Sequence, residues 1–156
     1  MTKPEIERAI MTPGLWVSVL PWRNDPHVYV WNRTARPVSI IEHRLWFENR
    51  QLKLEDEPIF SYHADKLFIG MARIDKVDED TLEVSLLVNP DQRGRGYGKQ
   101  ILGDMCEYFL SIKPSDWSLI AVIHKDNLIS KSLFTGLGFT FLSENKVFNT
   151  FVFSRV

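Results

Sequence analysis

Residues 86–99 constrain the fold of this chain more than any other stretch, because three kinds of local structure follow one another there. An apolar run ends at Asn89 and Pro90, and proline cannot donate to a strand ladder. Glycines at positions 94, 96 and 98 then allow successive backbone N–H groups to face one point without side chains in the way. A helix beginning at Gly98 would add its N-terminal dipole and unpaired donors there. The stretch therefore predicts a strand, a diphosphate-binding loop and a helix. The side chains able to add positive charge are Arg93, Arg95 and Lys99.

Three well-known glycine-rich patterns do not match this loop. The Walker A spacing fails because Arg93 stands at its first glycine position and Gln100 at its Ser/Thr position. The Rossmann fingerprint fails because Lys99 occupies the third glycine position. An arginine-glycine segment that binds RNA would need many repeats, and this sequence has one. An ordinary tight turn remains the alternative to a phosphate loop.

The rest of the chain alternates between strand-like and helix-like periodicity without a repeat or a linker, which predicts one domain over residues 1–156. Ser39 and Glu42 have the spacing of a capping box, and Gly138 stands where a left-handed helix cap is expected. This order of elements favours a layered α/β architecture. The expected strands are 15–20, 58–63, 67–74, 81–88, 119–123, 139–142 and 147–153, and the expected helices are 39–49, 98–111 and 127–137.

Composition excludes several functional classes. The single cysteine, Cys106, excludes an intramolecular disulfide and a cysteine-based zinc cluster, so no metal is expected. Nineteen basic and 20 acidic residues give a net charge of −1, far from the basic excess of a nucleic-acid-binding protein. Apolar runs are much shorter than the roughly 20 residues that span a bilayer, and the N-terminus lacks a signal core. A cytoplasmic protein without a membrane or nucleic-acid partner is therefore predicted.

Two blocks of the sequence resemble the GNAT (GCN5-related N-acetyltransferase) superfamily. Residues 93–98 resemble its R/Q-x-x-G-x-G/A signature, and residues 127–139 resemble its second block, in which an Asn opens a helix that ends in L-G-F. Both blocks have the order and separation typical of the family, and the resemblance covers roughly residues 67–143. It implies an α/β (α+β) GNAT fold. In that fold, a mixed, mostly antiparallel sheet of about six or seven strands is flanked by about four helices and splits between two central strands.

The resemblance implies that acetyl-CoA, or another acyl derivative of coenzyme A, is the acyl donor. The end of strand 81–88 would pair with the pantetheine arm, the glycine loop would bind the pyrophosphate, and the second block would lie beside the sulfur-bearing arm. An alternative for Asn127 is that it only caps its helix. The implied cofactor-binding residues are Leu86, Leu87, Val88, Arg93, Gly94, Arg95, Gly96, Tyr97, Gly98, Lys99, Asn127, Ser130 and Phe134.

Phe134 departs from the family pattern. Many members have a Tyr there as general acid, and a phenyl ring cannot donate a proton. Either water or another side chain supplies the acid, or the protein binds acyl-CoA without efficient transfer. Candidate bases are Glu83, His124, His43 and Asp75.

Glu83 and His124 are the expected catalytic residues. Glu83 would share a strand face with Ser85 and Leu87, in a position where the family often carries a base. The alternative for Glu83 is a solvated carboxylate that continues the preceding acidic turn. His124 follows the expected strand 119–123, close to the helix that Asn127 begins, although a polar loop histidine is more often incidental.

The N-terminal part is expected to form the acceptor pocket. A W-R-N segment at 22–24, an E-H-x-x-W-F helix at 42–47 and a G-x-x-R-x-D strand at 70–75 resemble one GNAT branch, which acetylates nucleotide-linked amino sugars. The implied substrate-binding residues are Trp22, Arg23, His43, Trp46 and Arg73. The aromatic residues of the helix could instead fill the core, beside an apolar stripe that includes Ile41 and Leu45. A protein N-terminus, another small amine or a non-catalytic module remain alternatives, and both a monomer and a homodimer are compatible with the sequence.

Overall fold

The computed structural model of the protein describes residues 5–112 and 114–154. One seven-stranded sheet has the order β1-β2-β3-β4-β5-β7-β6, and its neighbouring strands are antiparallel except for the parallel pair β4 and β5. The strands are β1 (Ile6–Ile10), β2 (Ile59–Ala64), β3 (Leu67–Lys76), β4 (Thr81–Val88), β5 (Ser118–His124), β6 (Phe139–Glu144) and β7 (Phe148–Phe153). The α-helices in these ranges are α1 (Trp16–Arg23), α2 (Pro26–Tyr29), α3 (Ile40–Gln51), α4 (Tyr97–Ile112) and α5 (Leu128–Gly136).

This architecture confirms the predicted fold class. Six of the seven predicted strands form in the sheet, and the three predicted helices correspond to α3, α4 and α5. Gly138 follows α5 with a φ of +97°, as its place at a helix cap predicts. The capping box also forms, because the Ser39 hydroxyl accepts from the Glu42 N–H (3.1 Å) and the Glu42 carboxylate accepts from the Ser39 N–H (3.4 Å).

The prediction of a strand over 15–20 is wrong, since this segment lies mostly in α1. The spacing of its apolar residues fits both the two-residue period of a strand and the 3.6-residue period of a helix. The buried positions agree with the helix. Val19 and Trp22, three positions apart on a helix, both pack into a core cluster with Phe47 of α3. Pro21 lies inside the helix rather than ending a strand.

The edge strand β1 has no counterpart among the predicted elements. Only Ile6 in it is even partly buried, so the strand has no alternation of buried and exposed positions. It forms by pairing with β2 through backbone hydrogen bonds, from Ile6 opposite Ala64 to Ile10 opposite Phe60. Side-chain periodicity therefore carried no signal for it.

Two hydrophobic clusters cover the two faces of the sheet. On one face, α4 buries Ile101, Leu102 and Met105 against strand residues that include Ile74 and Val84. On the other face, α1 and α3 pack around a cluster formed by Met11, Val19, Trp22, Phe47, Ile59 and Met71. None of the helices in the described ranges is long and apolar enough to cross a membrane.

Helix α3 buries a different side from the one that its apolar residues suggest. Its buried residues are His43, Phe47 and Arg50, whereas Ile41 is 68% exposed and Leu45 is 59% exposed. Phe47 fills the core as the alternative interpretation expected. Of the buried polar residues of α3, Arg50 bonds to Asp75 of β3, whereas His43 bonds to the Trp16 carbonyl of α1.

Candidate active site

The central sheet opens between β4 and β5. These strands pair only at Thr81–Ser118, Leu82–Leu119 and Glu83–Ile120, whereas β4 pairs with β3 as far as Val88. The Thr81 carbonyl accepts from Val77 (2.9 Å), and the Asn89 N–H donates to Ile69 (2.8 Å). Because hydrogen-bonding direction alternates along a strand, the odd-numbered residues of β4 bond to β3. The N–H and C=O groups of Leu86 and Val88 therefore face the split, and those of Leu87 face β3.

The loop after β4 is shaped by Asn89 and two glycines. The Asn89 carboxamide accepts from the Asp91 N–H (3.0 Å) and donates to the Phe68 carbonyl (3.1 Å), which ends the strand at a 3₁₀ turn over Pro90–Gln92. Gly94 and Gly96 have φ values of +77° and +80°. Side chains rarely tolerate this conformation, so both turns require glycine.

The backbone amides of this loop are free to bind a ligand. Among the described residues, no hydrogen-bond acceptor pairs with the N–H groups of residues 94–99, and α4 makes its first bond from Gln100 N–H to Gly96 C=O (3.2 Å). Arg95 and Lys99 are exposed beside these amides. Unpaired donors at a helix N-terminus with adjacent cations form an anion site, so the loop fits the pyrophosphate of coenzyme A.

Two side chains of the loop have other partners. Arg93 forms an ion pair with Asp25 (3.1 Å), which ties the loop to the start of α2. The Tyr97 ring is buried in the core cluster beneath α4, so only its backbone faces the loop. Cofactor contacts at Arg93 and Tyr97 stay a prediction, which we now expect to involve their backbones.

The second block is also built mainly by local structure. The Asn127 carboxamide accepts from the Ser130 N–H (3.2 Å) and donates to the Ser130 hydroxyl (3.0 Å), as the capping interpretation predicts. Phe134 is 5% exposed and packs edge-on against Phe139 with ring centres 5.0 Å apart. This position therefore offers packing and no proton donor.

A cavity of about 530 Å³ adjoins the split. It is lined by residues of α1, α3, β3 and β4 and of the segment over residues 28–38, together with Val122 of β5 and Phe148 of β7. Glu83, Ser85 and Leu87 all line it, as the alternation predicted for β4 expects, and Leu86 between them also contributes to the lining.

Glu83 is buried and fully paired. Only 7% of the residue is exposed, and its two carboxylate oxygens accept from the Arg33 guanidinium at 3.0 and 3.3 Å. This excludes the alternative of a solvated surface carboxylate. No sequence pattern indicates Arg33 as a site residue, since it lies in an irregular segment far along the chain from Glu83.

Asp75 lies directly opposite Glu83 in the β3–β4 register. It accepts from Arg50 of α3 (2.6 Å) and from Arg73 (3.0 Å), and both guanidinium groups lie over the Trp46 ring at 5.6 and 5.3 Å from its centre. Arg50 also donates to the Ile74 carbonyl. Like charges directly opposite on a sheet are destabilising, and the three arginines around this pair offset that repulsion.

The two candidate histidines differ in position. His43 lines the cavity, is 7% exposed and donates from Nε2 to the Trp16 carbonyl (2.8 Å). Burial lowers the pKa of His43 despite that hydrogen bond, and the charge of Arg23 lowers it further, so the ring is neutral near pH 7. His124 is not among the cavity-lining residues; its Nδ1 accepts from the Asp126 N–H (3.1 Å), and its ring meets Trp31 edge-on at 5.1 Å.

The W-R-N segment is mainly structural. Trp22 is 8% exposed and packs on Phe68 at 4.7 Å, in the core rather than at the cavity. Arg23 lines the cavity, and its guanidinium donates to the carbonyls of Thr34 (3.2 Å) and Arg36 (3.3 Å). The Asn24 carboxamide exchanges two hydrogen bonds of 2.8 Å with the Val38 backbone. These bonds fix the segment that forms one cavity wall.

Comparison with known proteins shows which family the chain belongs to. A family model described as an acetyltransferase (GNAT) domain matches residues 11–140. The uncharacterized N-acetyltransferase YfmK of Bacillus subtilis (strain 168) is 35% identical over 123 residues, which cover 66% of this chain and 78% of that protein. An N-acetyltransferase 9-like protein of Nematostella vectensis is 43% identical over 113 residues, covering 70% of this chain and 51%, about half, of that relative.

Solved structures of acetyltransferases have a similar fold. The structure of yncA, a putative acetyltransferase from Salmonella typhimurium with its cofactor acetyl-CoA, matches with a TM-score of 0.74 at 19% identity, over 95% of this chain and 92% of that one. The split sheet, the free loop amides and the matched domain thus agree. The chain belongs to the GNAT acetyltransferase family, and it is an N-acetyltransferase that depends on acetyl-CoA.

Proposed function

We propose that this enzyme acetylates the primary amine of a nucleotide-linked amino sugar, an acceptor that carries negative charge. The observation that carries the proposal is the charge of the cavity wall. Among its described lining residues, three arginines (Arg23, Arg33 and Arg73) outnumber two carboxylates (Glu42 and Glu83). A polycationic acceptor such as a polyamine would favour the opposite excess, because complementary charge sets specificity.

Arg23 and Arg73 form the part of this wall best suited to a diphosphate. Both residues line the cavity. Burial lowers the pKa of Arg23, and the positive charges of Arg73 and then Arg36 lower it further, so these cations repel one another. An anion between them would relieve this repulsion, and guanidinium groups bind phosphate with paired N–H bonds. Trp31 lines the same cavity and offers a ring face for a base or a sugar, whereas the Trp46 ring is already covered by Arg50 and Arg73.

The chain's own groups would hold the cofactor in the split. The amides of residues 94–99 would bind its pyrophosphate, and the N–H and C=O groups of Leu86 and Val88 would pair with its amide-containing arm as an added strand. Acetyl-CoA supplies an acetyl group activated as a thioester. An N–H of β4 that faces the split can donate to the oxygen that gains negative charge during transfer.

Glu83 is our candidate for the group that takes the proton of the acceptor amine, directly or through water. It lies where the split begins and faces the cavity, and such general base catalysis typically contributes about 10²–10⁴-fold. The buried phenyl ring of Phe134 cannot donate a proton, so we expect the coenzyme A thiolate to leave as an anion and to take a proton from solvent. A thiolate is a stable enough anion near neutral pH to leave without a general acid, since the thiol of free cysteine has a pKa of about 8.5.

A thiol-release assay with acetyl-CoA tests the acceptor class. We expect the highest kcat/KM for a UDP-linked amino sugar, a lower value for the same amino sugar without the nucleotide, and the lowest for spermidine and for a peptide with a free N-terminus. UDP should compete with the acceptor and not with acetyl-CoA.

Arg73→Gln should raise the KM for the UDP-linked sugar by about tenfold, equivalent to about 1.4 kcal/mol, and leave KM for the free amino sugar unchanged. Arg44→Gln is a matched control, because Arg44 lies on the exposed side of α3 and pairs with Glu48 (2.9 Å). Equal kcat/KM for spermidine and the UDP-linked sugar, or no competition by UDP, would contradict the proposed acceptor.

A further inference from the structure

The ion pair between Arg33 and Glu83 is the feature of the cavity that the catalytic scheme leaves unexplained. Among the described residues, Arg33 is the one ion-pair partner of Glu83. These two hydrogen bonds occupy both carboxylate oxygens, which are the atoms that would have to accept the proton of the amine. The pair must therefore loosen before Glu83 acts as a base.

We propose that Arg33 is a positioning residue that an anionic acceptor draws away from Glu83, so that the acceptor itself activates the base. This inference rests on the proposed function, because it requires Glu83 as the base and an acceptor with a phosphate group. It means that the phosphate group of an acceptor speeds proton transfer to Glu83 in addition to strengthening binding, so that phosphorylated acceptors are preferred for two reasons.

The two partners differ in exposure, which determines which of them can move. The Glu83 side chain is 10% exposed, whereas the Arg33 side chain is 59% exposed. A rotation of the Arg33 side chain exposes a guanidinium that is already largely hydrated, while Glu83 stays inside the cavity wall. Phosphate accepts two N–H bonds from a guanidinium in the same way as carboxylate, so a bound diphosphate competes directly for Arg33.

The segment that carries Arg33 is fixed on both sides of it. Trp31 packs against His124, and the hydrogen bonds of Arg23 and Asn24 hold residues 34–38. The backbone of Arg33 is thus kept at the cavity while its side chain remains exposed. This arrangement favours a change of side-chain partner over a movement of the whole segment.

The charges around Glu83 make the pair sensitive to the loss of Arg33. Asp75 lies directly opposite on β3, and it already binds Arg73 and Arg50, while the β5 residue opposite Glu83 is the uncharged Ile120. Arg33 is therefore the cation that separates the Glu83 carboxylate from an open cavity. When a bound anion draws Arg33 away, both oxygens of Glu83 become available to the acceptor amine.

Arg33→Gln, with Arg33→Lys as the conservative variant, tests this role. The probes are glucosamine and glucosamine 1-phosphate, which differ by one phosphate group. In the wild type we expect kcat to be at least about tenfold higher for the phosphorylated sugar, within the range of general base catalysis. In Arg33→Gln this ratio should fall toward one, and Arg33→Lys should restore part of it. A purely structural role would lower kcat for both sugars and preserve the ratio, which would overturn the proposal.

A second measurement does not depend on turnover. Carbon NMR of the glutamate carboxyl groups, with the Glu83 signal identified by its loss in Glu83→Gln, reports whether the Glu83 carboxylate is paired with Arg33. At a fixed pH near 7, we expect the chemical shift of this signal to change in Arg33→Gln, and to change in the same direction in the wild type when UDP is bound. Arg36→Gln, which removes an exposed arginine of the same segment that pairs with Glu42, is the control that should not move it.

The two measurements separate the inference from the function on which it rests. An unchanged Glu83 carboxyl signal in Arg33→Gln, or a change in that variant but none with saturating UDP, overturns the role of Arg33 even if the enzyme acetylates UDP-linked sugars. Failure of UDP to bind at all overturns the anionic acceptor, and with it the activation by that acceptor.

Discussion

At the scale of single residues, the site depends on backbone N–H groups that have no hydrogen-bond partner within residues 5–112 and 114–154. The loop amides after β4 are unpaired because Gly94 and Gly96 take a backbone conformation that other residues avoid. A ligand with two phosphate groups can pair with several of these donors at once. Substitutions in this loop should therefore affect binding more than folding.

We predict that Gly96→Glu lowers the affinity for coenzyme A by at least about tenfold. The side chain strains a position with φ of +80°, and its carboxylate repels the pyrophosphate. Isothermal titration calorimetry measures this change, and Gly96→Ala separates the strain from the charge because it introduces the first without the second. Unchanged affinity in Gly96→Glu would remove this loop from the binding site.

His43 predicts a pH dependence of stability. Burial lowers the pKa of His43 below its ordinary value of 6.5, so the unfolded chain binds a proton at mildly acidic pH that the folded chain does not. The stabilisation is present above that ordinary value and is lost as pH falls through the folded value. Between about pH 7 and about pH 5, the free energy of unfolding should therefore fall less in His43→Gln than in the wild type.

Urea titrations at the two pH values measure the effect of His43. His27→Gln is the matched control, because the His27 side chain is 89% exposed, and it should behave as the wild type does. The prediction fails if His43→Gln and the wild type lose the same stability on acidification.

At the scale of elements, β4 is the strand on which the site depends. It is bound to β3 along its length and to β5 only at its start, so its second half has one free edge. Gly70 of β3 lets α4 and β4 approach closely at this place. A Cβ at position 70 would be 2.9 Å from the Leu87 carbonyl oxygen and 2.8 Å from Cδ1 of Ile101.

We predict that Gly70→Ala costs about 1–3 kcal/mol of stability and weakens coenzyme A binding, because the added methyl group displaces β4 at the split. Gly103→Ala in α4 is the control. A Cβ there meets nothing within 4 Å, so this change should stabilise the helix by about 0.5–1 kcal/mol. Urea unfolding and calorimetric titration measure the two effects, and a Gly70→Ala protein as stable as the wild type would contradict the close approach.

At the scale of the whole molecule, the two hydrophobic clusters share one sheet. Trp22 belongs to the cluster beneath α1 and α3, whereas Cys106 belongs to the cluster beneath α4. Because the same strands separate and support both clusters, neither is expected to persist without the other. The predicted single domain should therefore unfold as one cooperative unit.

We predict that tryptophan fluorescence and the accessibility of Cys106 change at the same urea concentration. Cys106 is 6% exposed and burial raises its pKa to about 12, so a thiol reagent should find no reactive thiol in the folded protein and one after unfolding. Pulsed labelling at each urea concentration measures the second transition. Labelling of Cys106 well before the fluorescence change would show that the α4 side unfolds separately.

The sequence alone predicted the strand–loop–helix unit over residues 86–99, the capping box of α3 and most of the strands. These features depend on local chemistry, such as the conformational freedom of glycine, the missing donor of proline and the alternation of side chains, which a few neighbouring residues determine. The family resemblance, carried by residues 93–98 and 127–139, rests on the same local patterns.

The tertiary structure alone decided which of several local possibilities the chain adopts. Burial made residues 16–23 a helix, left Ile41 and Leu45 exposed, and formed β1 through backbone pairing without a side-chain pattern. It also joined Arg33 to Glu83 across fifty positions of the chain. A contact between residues so far apart has no trace in local periodicity, because folding rather than sequence neighbourhood brings the two charges together.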